Sequence, residues 1–319
     1  MIEYSPDVFA FLRQRDGFSN EILMKSLDPE KNKQSVFKAG ESQGKSGSFF
    51  FFSQDQNFII KTMTESDFQA FQRIQKAYFD RVNNDPNCLL GRIYGIYSVI
   101  QEDKAPVKLV VMGNCMKNAK MHQGVFDLKG SLVARLTKGP ILSKSQILKD
   151  RNILALNKQK EWLNFRPRDR EQIWNAMISD VEMLWKFNLM DYSLLLCIQD
   201  NPDYKTIETK YAEQAKYRGN RKRVMLAELR EKFEKDNNLQ ERRHKFLSKN
   251  GKFIYHVGII DYLQDYSLGK QLENLWKQHI MMAGKMISAV NPYDYALRFL
   301  DFMRKNVIID QEARTGTRS

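Results

Sequence analysis

A glycine-rich loop followed by a lysine provides the first residues whose types suit phosphate chemistry. The loop residues are Gly44, Lys45, Ser46, Gly47 and Ser48. An aromatic segment, a polar turn and a second apolar segment ending at Lys61 follow them. Because glycine has no Cβ, backbone N–H groups in such a loop can approach a polyphosphate, and a lysine on the neighbouring strand can neutralise its charge. The spacing excludes a P-loop, since Gly40 lies one position too close to Gly44. A plain turn between two strands has the same signature, so both interpretations stay open.

Two aspartates at the ends of apolar segments are candidates for kinase-type chemistry. Asp191 precedes the apolar run 192–196, and Asp261 ends the apolar run 253–260. An aspartate at the start of a buried strand can accept a proton from an attacking hydroxyl, or simply cap a turn. An aspartate at the end of a buried strand that faces a phosphate loop suits a magnesium ligand.

A third group of charged residues surrounds a glycine-serine turn. Asp127 and Lys129 precede this turn, and Arg135 follows it. An acid, a lysine and an arginine near such a turn suit a site for anionic oxygens. The alternative interpretation is a charged strand end with surface ion pairs.

The net charge of the chain indicates what kind of partner it binds, and says little about its fold. The 319 residues include 51 Lys and Arg against 38 Asp and Glu, which gives a net charge of +13. This excess favours nucleic acid or an anionic membrane surface as a partner. No apolar run approaches the roughly 20 residues that span a bilayer, and the first residues match neither a signal peptide nor a myristoylation site. We therefore expect any membrane contact to be peripheral.

The cysteines indicate a reduced, cytosolic protein. Cys88, Cys115 and Cys197 lie far apart in the sequence, and none has a histidine at metal-ligand spacing. We expect no zinc site. His256, inside an apolar run, is interpreted as a core residue with its hydrogen bonds satisfied.

Periodicity predicts the elements that must position these residues. Alternating or apolar runs predict a hairpin over 49–61 and two further antiparallel strands at 91–100 and 107–112. Helical spacing predicts short helices within 1–33 and longer helices over 65–82, 169–190 and 292–307. The short helices suit either packing on the back of a sheet or a contact in a homodimer.

Two details of these elements are predicted as well. In the helix over 65–82, Glu65 or Asp67 is a candidate partner for Lys61. The polar span from about 200 to 252 contains basic clusters, and we predict that it is an exposed, partly disordered insertion in which 224–235 is helical.

Taken together, these segments resemble the phosphatidylinositol phosphate kinases. GKSGSFFFF and FIIK are similar to the phosphate loop and the ATP lysine of that family, and four further strings occur in the family's order: VVMGN, FDLKGS, MDYSLLL and GIIDYLQDYS. The resemblance extends from about residue 4 to residue 307 and includes a charged insertion at the same place. It implies a two-lobed, kinase-related α+β fold with antiparallel sheets and flanking helices, with lobes at 1–113 and 114–319.

The resemblance also implies roles for individual residues. Lys61 and the glycine-rich loop would bind ATP, Asp191 would be the catalytic-loop aspartate, and Asp261 would bind Mg²⁺. The resemblance assigns Lys129 to catalysis, Asp127 to nucleotide binding and Arg135 to substrate binding. The protein-kinase signatures H-R-D and D-F-G are absent, which disfavours a protein kinase.

The span 262–291 corresponds to the family's activation loop, which contacts the membrane and selects the lipid. Four of its residues are candidate lipid contacts: Lys270, Glu273, Trp276 and Lys277. Glu273 stands at the position where 5-kinases of the 4-phosphate resemble one another and 4-kinases of the 5-phosphate carry alanine. Gln271 departs from the pattern, because a second lysine is common there. Since 5-kinases of the 3-phosphate also carry this glutamate, that substrate is the alternative.

We therefore expect a lipid kinase that uses MgATP to phosphorylate the 5-hydroxyl of phosphatidylinositol 4-phosphate. Its expected location is the cytoplasmic face of a membrane, above all the plasma membrane. Two other classes are a phosphoinositide-binding scaffold without catalysis and a basic nucleic-acid-binding protein. The presence of all three residues Lys61, Asp191 and Asp261 disfavours the scaffold. No zinc, RNP-like or helix-turn-helix signature supports the second class, so no nucleic-acid partner is expected.

Overall fold

Twelve strands are present in the residues that the structure describes. The structure is a computed structural model, and it describes residues 1–41, 49–117, 119, 122–138, 146–160, 162–213, 219–237, 243–266 and 291–308. The strands are β1 (Ile2–Tyr4), β2 (Phe50–Phe52), β3 (Phe58–Met63), β4 (Ile93–Val99), β5 (Val107–Gly113), β6 (His122–Leu128), β7 (Ile147–Leu148), β8 (Leu189–Met190), β9 (Ser193–Asp200), β10 (Lys245–Leu247), β11 (Phe253–Ile260) and β12 (Gln264–Asp265).

These strands form two main sheets. The first sheet has the order β1-β4-β5-β3-β2, and all its pairs are antiparallel. The second has the order β10-β11-β9-β6-β7 and is antiparallel except for the β6–β7 pair. A separate ladder joins β8 to β12. The predicted α+β fold with antiparallel sheets is confirmed.

The helices of the described chain flank these sheets. They are α1 (Pro6–Arg15), α2 (Asn20–Ser26), α3 (Pro29–Glu41), α4 (Glu65–Asn84), α5 (Asp150–Lys160), α6 (Pro167–Lys186), α7 (Tyr204–Ala212), α8 (Arg221–Asp236) and α9 (Pro292–Asn306). The short N-terminal helices and the helices predicted around 65–82, 169–190 and 292–307 are therefore confirmed, although α6 ends four residues early. No described helix is both long enough and apolar enough to cross a bilayer.

The predicted hairpin is the β2–β3 pair, in which Phe50 lies opposite Lys61. Side chains alternate across β3, since successive residues of a strand point to opposite faces. Phe58 and Ile60 are buried and pack with Tyr94 in a cluster that also contacts Phe18. Lys61 therefore lies on the opposite face from this cluster.

Helix α4 packs on the Lys61 side of the sheet, but its acids do not pair with Lys61. Asp67 forms a capping box with Thr64, in which each side chain accepts a hydrogen bond from the other residue's backbone N–H. Glu65 accepts a hydrogen bond from Lys108 at 2.6 Å. Both acids are thus engaged locally, and the prediction that one of them pairs with Lys61 is wrong.

The two sheets share one hydrophobic core and a main-chain connection. The core cluster includes Ile74 and Val110 from the first half of the chain and Leu194 and Phe299 from the second. Between α4 and β4, the segment 89–91 bonds to β11: Gly91 N donates to Ile259 O at 2.8 Å, and Ile259 N donates to Leu89 O at 2.7 Å. The lobe boundary at residues 113 and 114 stays a prediction.

Two helices within the predicted charged insertion, α7 and α8, pack against each other, while most side chains of α8 are exposed as expected. Partial disorder of the insertion stays a prediction, because residues 214–218 and 238–242 lie outside the described residues. Helices α7 and α8 bury a cluster of their own, which includes Ile207, Leu229 and Phe233 and also contains Leu247 of β10. The apolar residues of α8 recur at helical intervals among many charges, so burial of one narrow stripe is sufficient to order the helix. The predicted helix over 224–235 is confirmed.

His256 is buried in β11 as expected of a core residue. Its Nε2 lies 2.8 Å from Gln199 Oε1, and its Nδ1 lies 3.3 Å from Cys115 O. The cysteines, all three within the described residues, are free thiols.

Candidate active site

The register of the second sheet brings the predicted acids to one edge. Ile260 lies opposite Ser193, so Asp261 leaves β11 at the level where the chain enters β9 from Asp191. On the other side of β9, Leu128 lies opposite Leu194, which places Lys129 at the same edge. Residues far apart in sequence thus meet at the end of three adjacent strands, β11, β9 and β6.

Asp191 and Asp261 occupy a break between two ladders. The β9–β11 ladder ends at Ser193 and Ile260, and the β8–β12 ladder resumes at Met190 and Gln264. Between the two ladders, the two residues 191–192 therefore lie opposite the three residues 261–263. Both aspartates adopt positive φ, 62° for Asp191 and 57° for Asp261, a conformation that costs roughly 1–3 kcal/mol and clusters at functional sites.

Buried tyrosines hold both sides of this break. Tyr262, next to Asp261, donates its hydroxyl to Gly91 O at 2.6 Å. Tyr295 of α9 donates to Tyr192 O, the carbonyl that follows Asp191. Burial raises the pKa of Tyr295 well above its ordinary value, with smaller contributions from Tyr192 and Asp191, so its hydroxyl stays protonated and remains a donor.

Lys61 forms an ion pair with Asp261 across the two sheets. Lys61 Nζ lies 2.8 Å from Asp261 Oδ1, and the two side chains remain 30% and 49% exposed. A pair with this much exposure contributes at most about 1 kcal/mol to stability. The contact is therefore readily exchanged for other charged groups that enter from solvent.

These two residues fit a nucleotide with its magnesium ion. Within the described residues, no group of three or more His, Cys, Asp or Glu side chains could hold a metal ion alone. Mg²⁺ in nucleotide sites is commonly bound by one or two carboxylates together with substrate phosphates, a donor set that Asp261 can supply in part. Lys61 beside it carries the complementary charge for a phosphate oxygen.

Arg135 holds the strand end that contains Asp127. Its Nη2 donates to the Asp127 carboxylate and to Asp127 O, and its Nε donates to Asp150 Oδ2 at 2.7 Å. Burial opposes the charged guanidinium, but the hydrogen bonds to both carboxylates outweigh burial and raise the pKa of Arg135. The assigned roles of Arg135 in substrate binding and of Asp127 in nucleotide binding stay predictions.

Asp150, which sequence reasoning missed, organises the turn that carries Lys129. Its Oδ1 accepts from the backbone N–H groups of Lys129 at 3.0 Å, Gly130 at 2.8 Å and Ser131 at 3.3 Å. The residue is fully buried at the N-terminus of α5. Its one signal in the sequence is the helix-start position of an acid, which does not point to the site.

Gly130 brings the same turn against α9. Its φ is +68°, and a Cβ at this position would lie 2.7 Å from Phe299 Cα and 3.1 Å from Arg298 O. Arg298, also missed from the sequence, lies with its guanidinium carbon 5.1 Å from the centre of the Tyr295 ring. The turn that carries Lys129 is thus supported from α5 and from α9.

The structure places Asp127, Lys129, Asp191 and Asp261 at one end of the second sheet, with Lys61 bound to Asp261 and Arg135 bound to Asp127. The remaining predicted site residues lie outside the described residues: Gly44, Lys45, Ser46, Gly47, Ser48, Lys270, Glu273, Trp276 and Lys277. Most of the predicted activation loop, residues 267–290, also lies outside them.

Comparison with known proteins gives one consistent family. A profile described as Phosphatidylinositol-4-phosphate 5-Kinase matches residues 31–306. The relatives include "Phosphatidylinositol 4-phosphate 5-kinase its3" of Schizosaccharomyces pombe, 30% identical over 96% of this chain and 46% of that protein. A type-1 beta phosphatidylinositol 4-phosphate 5-kinase of Gallus gallus is 30% identical over 95% of this chain and 57% of that protein.

A more distant relative agrees with these two. The phosphatidylinositol 4-phosphate 5-kinase of Plasmodium falciparum is 26% identical over 95% of this chain and 18% of that protein. The chain spans about half the length of the Schizosaccharomyces pombe and Gallus gallus proteins. The profile match covers most of the chain and includes Lys61, Asp191 and Asp261. The chain therefore belongs to the phosphatidylinositol-4-phosphate 5-kinase family.

Proposed function

We propose that this chain is a lipid kinase that transfers the γ-phosphate of ATP to the 5-hydroxyl of phosphatidylinositol 4-phosphate. The product would be phosphatidylinositol 4,5-bisphosphate. The observation that best supports the proposal is the contact between Lys61 and Asp261 at the edge where Asp191 also lies. The names of the relatives support the choice of substrate.

In this proposal the two sheets supply opposite halves of the reaction site. Lys61 of the first sheet binds phosphate oxygens of ATP. Asp261 of the second sheet is a ligand of Mg²⁺, which would neutralise phosphate charge when bound. Asp191 orients the inositol 5-hydroxyl and accepts its proton as the new oxygen–phosphorus bond forms, while the bond from the γ-phosphorus to the β,γ-bridging oxygen breaks and ADP leaves. Catalysis then comes mainly from positioning and charge neutralisation.

Lys129 completes the proposed site as a second cation near the transferred phosphate. Its backbone N–H is fixed by Asp150, and the turn that follows it packs on α9. A lysine on a fixed turn can stabilise charge that develops on equatorial oxygens without costly reorganisation. Arg135 supports this turn by binding both Asp127 and Asp150.

The proposed substrate lies in a membrane, and the charge of the chain suits that setting. Each basic residue near an anionic leaflet contributes about 1 kcal/mol to attraction, and the net charge is +13. We propose peripheral binding at the cytoplasmic face, with the segment 262–291 and its Lys270, Glu273, Trp276 and Lys277 at the lipid. A homodimer stays a prediction, which sedimentation of the purified chain would test.

The decisive experiment offers labelled ATP and vesicles that contain the 3-, 4- or 5-monophosphate of phosphatidylinositol. We expect label mainly on the 4-phosphate lipid, at position 5 of the ring. Preferred labelling of the 3-phosphate lipid would favour the alternative substrate. Vesicle binding without transfer to any of the three would favour a binding scaffold.

A matched pair of variants tests the role of Asp191. Asp191→Asn keeps the shape of the side chain but removes the carboxylate, so we expect turnover to fall at least 100-fold. Asp301→Asn in α9 makes the same change at an exposed residue that pairs with Lys305, and turnover should be unaffected. Near wild-type turnover in Asp191→Asn would remove this residue from the proposed mechanism.

A further inference from the structure

A second, basic pocket lies at the junction of the two sheets, away from the candidate active site. Its cavity volume is about 230 Å³, and it is bounded by the end of α1, the end of β5 and the start of β10. The described charged and imidazole side chains that line it are Asp16, Arg92, Lys117, Arg243, His244 and Lys245. None of the residues assigned to catalysis lines it.

The pocket opens on the opposite face of the first sheet from Lys61. Phe18 and Tyr94 line it and belong to the cluster that covers Phe58 and Ile60. Lys61 points away from that cluster, toward Asp261. A ligand in this pocket would therefore occupy a separate site from a nucleotide held by Lys61.

Arg92 is the strongest indication that the pocket binds a ligand. The residue is 3% exposed, and its Nη1 donates to Leu90 O at 3.1 Å. Its Nε and Nη2 are buried and make no hydrogen bond in the described structure, although Nε lies 3.5 Å from Asp16 Oδ2. Since buried guanidinium donors are costly to leave unpaired, these two atoms favour an acceptor in the cavity.

The charges around the pocket are also unbalanced. Among the described residues that line it, Asp16 is the one carboxylate, and it contacts Arg243 at 3.1 Å and Arg15 at 3.2 Å in addition to Arg92. Burial, together with repulsion from Arg92, lowers the pKa of Arg243 despite its contact with Asp16. One carboxylate thus serves several guanidinium groups, and a bound anion would relieve the excess of positive charge.

His244 adds an acceptor to this set of donors. Its Nδ1 lies 2.8 Å from Val257 O, and because a carbonyl only accepts, Nδ1 must carry the proton. Burial lowers the pKa of His244 to about 3, so the ring is neutral, and its buried Nε2 is a bare acceptor that has no partner within the part of the chain that the structure describes. The ligand should therefore offer one O–H donor as well as several acceptor oxygens.

We propose that this pocket is a binding site for a phosphate group, free or on a larger molecule, that carries one protonated oxygen. Arg92 and Arg243 donate to its bare oxygens, Lys117 adds charge, and His244 Nε2 accepts from its O–H. The volume lies below the roughly 300–1,000 Å³ of drug-sized pockets, which suits a small anion. Because its walls come from both sheets and from the insertion, the anion would hold these parts together.

Thermal unfolding of the whole chain with orthophosphate and sulfate tests the proposal. Ionic strength is held constant with chloride. At orthophosphate ten times above Kd, the Tm should rise by about 2 °C. Sulfate has a similar shape and charge but no O–H at neutral pH, so it should need a roughly tenfold higher concentration for the same rise. Equal responses to the two anions would overturn the assignment to phosphate.

Variants distinguish this pocket from the active site. Lys117→Gln and Arg243→Gln should each weaken the response to orthophosphate at least fivefold, whereas Lys186→Gln should not. Lys186 is a matched control, because it lies on the surface of α6 and pairs with Glu182. The response should also persist in Lys61→Gln. Its loss there, or its persistence in both pocket variants, would overturn the proposal.

A parallel titration with glycerophosphoinositol 4-phosphate distinguishes the two sources of phosphate. The rise in Tm that is lost in Lys117→Gln reports binding in this pocket, so only that part of the rise is compared. If this part appears at lower concentration than with orthophosphate, the ligand is a lipid headgroup. If it appears at equal or higher concentration, the ligand is a soluble phosphate. These outcomes do not depend on turnover, so they remain separable from a failure of the proposed kinase activity.

Discussion

Replacing Gly130 with alanine would place a methyl group against the backbone of α9. A Cβ at this position lies 2.7 Å from Phe299 Cα and 3.1 Å from Arg298 O. Backbone atoms of a packed helix cannot move aside as a flexible side chain can. The turn or the helix must therefore shift, and the turn carries Lys129 at the candidate active site.

The expected loss in the free energy of unfolding follows from a comparison of Gly130→Ala with Gly17→Ala. Gly17 also has positive φ, +82°, but no atom of the described residues lies within 4 Å of its Cβ position. Left-handed backbone costs an alanine about 1–2 kcal/mol, partly offset by the reduced entropy of the unfolded chain, so Gly17→Ala should lose about 1 kcal/mol. Gly130→Ala adds about 1–3 kcal/mol of overpacking, for a total of about 2–4 kcal/mol.

Urea unfolding of both variants measures this difference, and the lipid transfer assay reports its effect on the site. We expect Gly130→Ala to lower turnover at least tenfold, because a small displacement of a positioning group costs much of its effect. Gly17→Ala should retain turnover. Equal losses of stability in the two variants would refute the inference that close packing on α9 holds the turn.

Two further predictions concern buried groups. Asp150→Asn keeps an oxygen for the N–H groups of residues 129–131 but turns an NH₂ toward Arg135, so the free energy of unfolding should fall by about 3 kcal/mol. A loss below 1 kcal/mol, no larger than that of Asp301→Asn, would contradict this. His244 has a folded-state pKa of about 3, against an ordinary value near 6.5, so the unfolded chain binds its proton first as pH falls. The free energy of unfolding should therefore fall between pH 6.5 and pH 5 by up to about 1.4 kcal/mol per pH unit. This dependence on pH should be weaker in His244→Gln, and an unchanged dependence would refute the role of His244.

Local patterns in the sequence were sufficient to predict most of the elements that position the site. The alternation of Phe58, Ile59, Ile60 and Lys61 gave the strand and the face of the lysine. The helical spacing of five apolar residues predicted α4, and all five are buried: Phe68, Phe71, Ile74, Tyr78 and Val82. These predictions succeed because periodicity reflects burial within a single element.

Partners that lie far apart in sequence could not be predicted in the same way. Lys61 pairs with Asp261, 200 residues away, rather than with the nearby Glu65, whose side chain Lys108 engages. The strand β1 is three residues long, and its pairing with β4 depends on a partner more than 90 residues away. Neither choice has a local signature, since both are decided by which side chains the tertiary fold brings together.

Asp150 and the basic pocket show a second reason why some functional residues could not be predicted from the sequence. Asp150 looks in sequence like an ordinary acid at a helix start, and its role depends on three backbone N–H groups about 20 residues earlier. Arg92 is an isolated arginine in an apolar stretch. Hydrogen bonds to main-chain atoms leave no pattern of residue types in the sequence, so such roles become visible only in the folded structure.

Main-chain hydrogen bonds of segment 89–91 fix the backbone on both sides of Asp261, whereas Lys61 contacts only its carboxylate. Gly91 N and Leu89 O bond to Ile259, two residues before Asp261, and Gly91 O accepts from Tyr262, one residue after it. These bonds are buried, whereas the ion pair with Lys61 is open to solvent. The backbone thus fixes where the carboxylate stands, and the exposed charge is left to exchange partners. A ligand that displaces Lys61 therefore finds the Asp261 carboxylate already positioned. Loss of the ion pair need not break the main-chain hydrogen bonds that join segment 89–91 to β11.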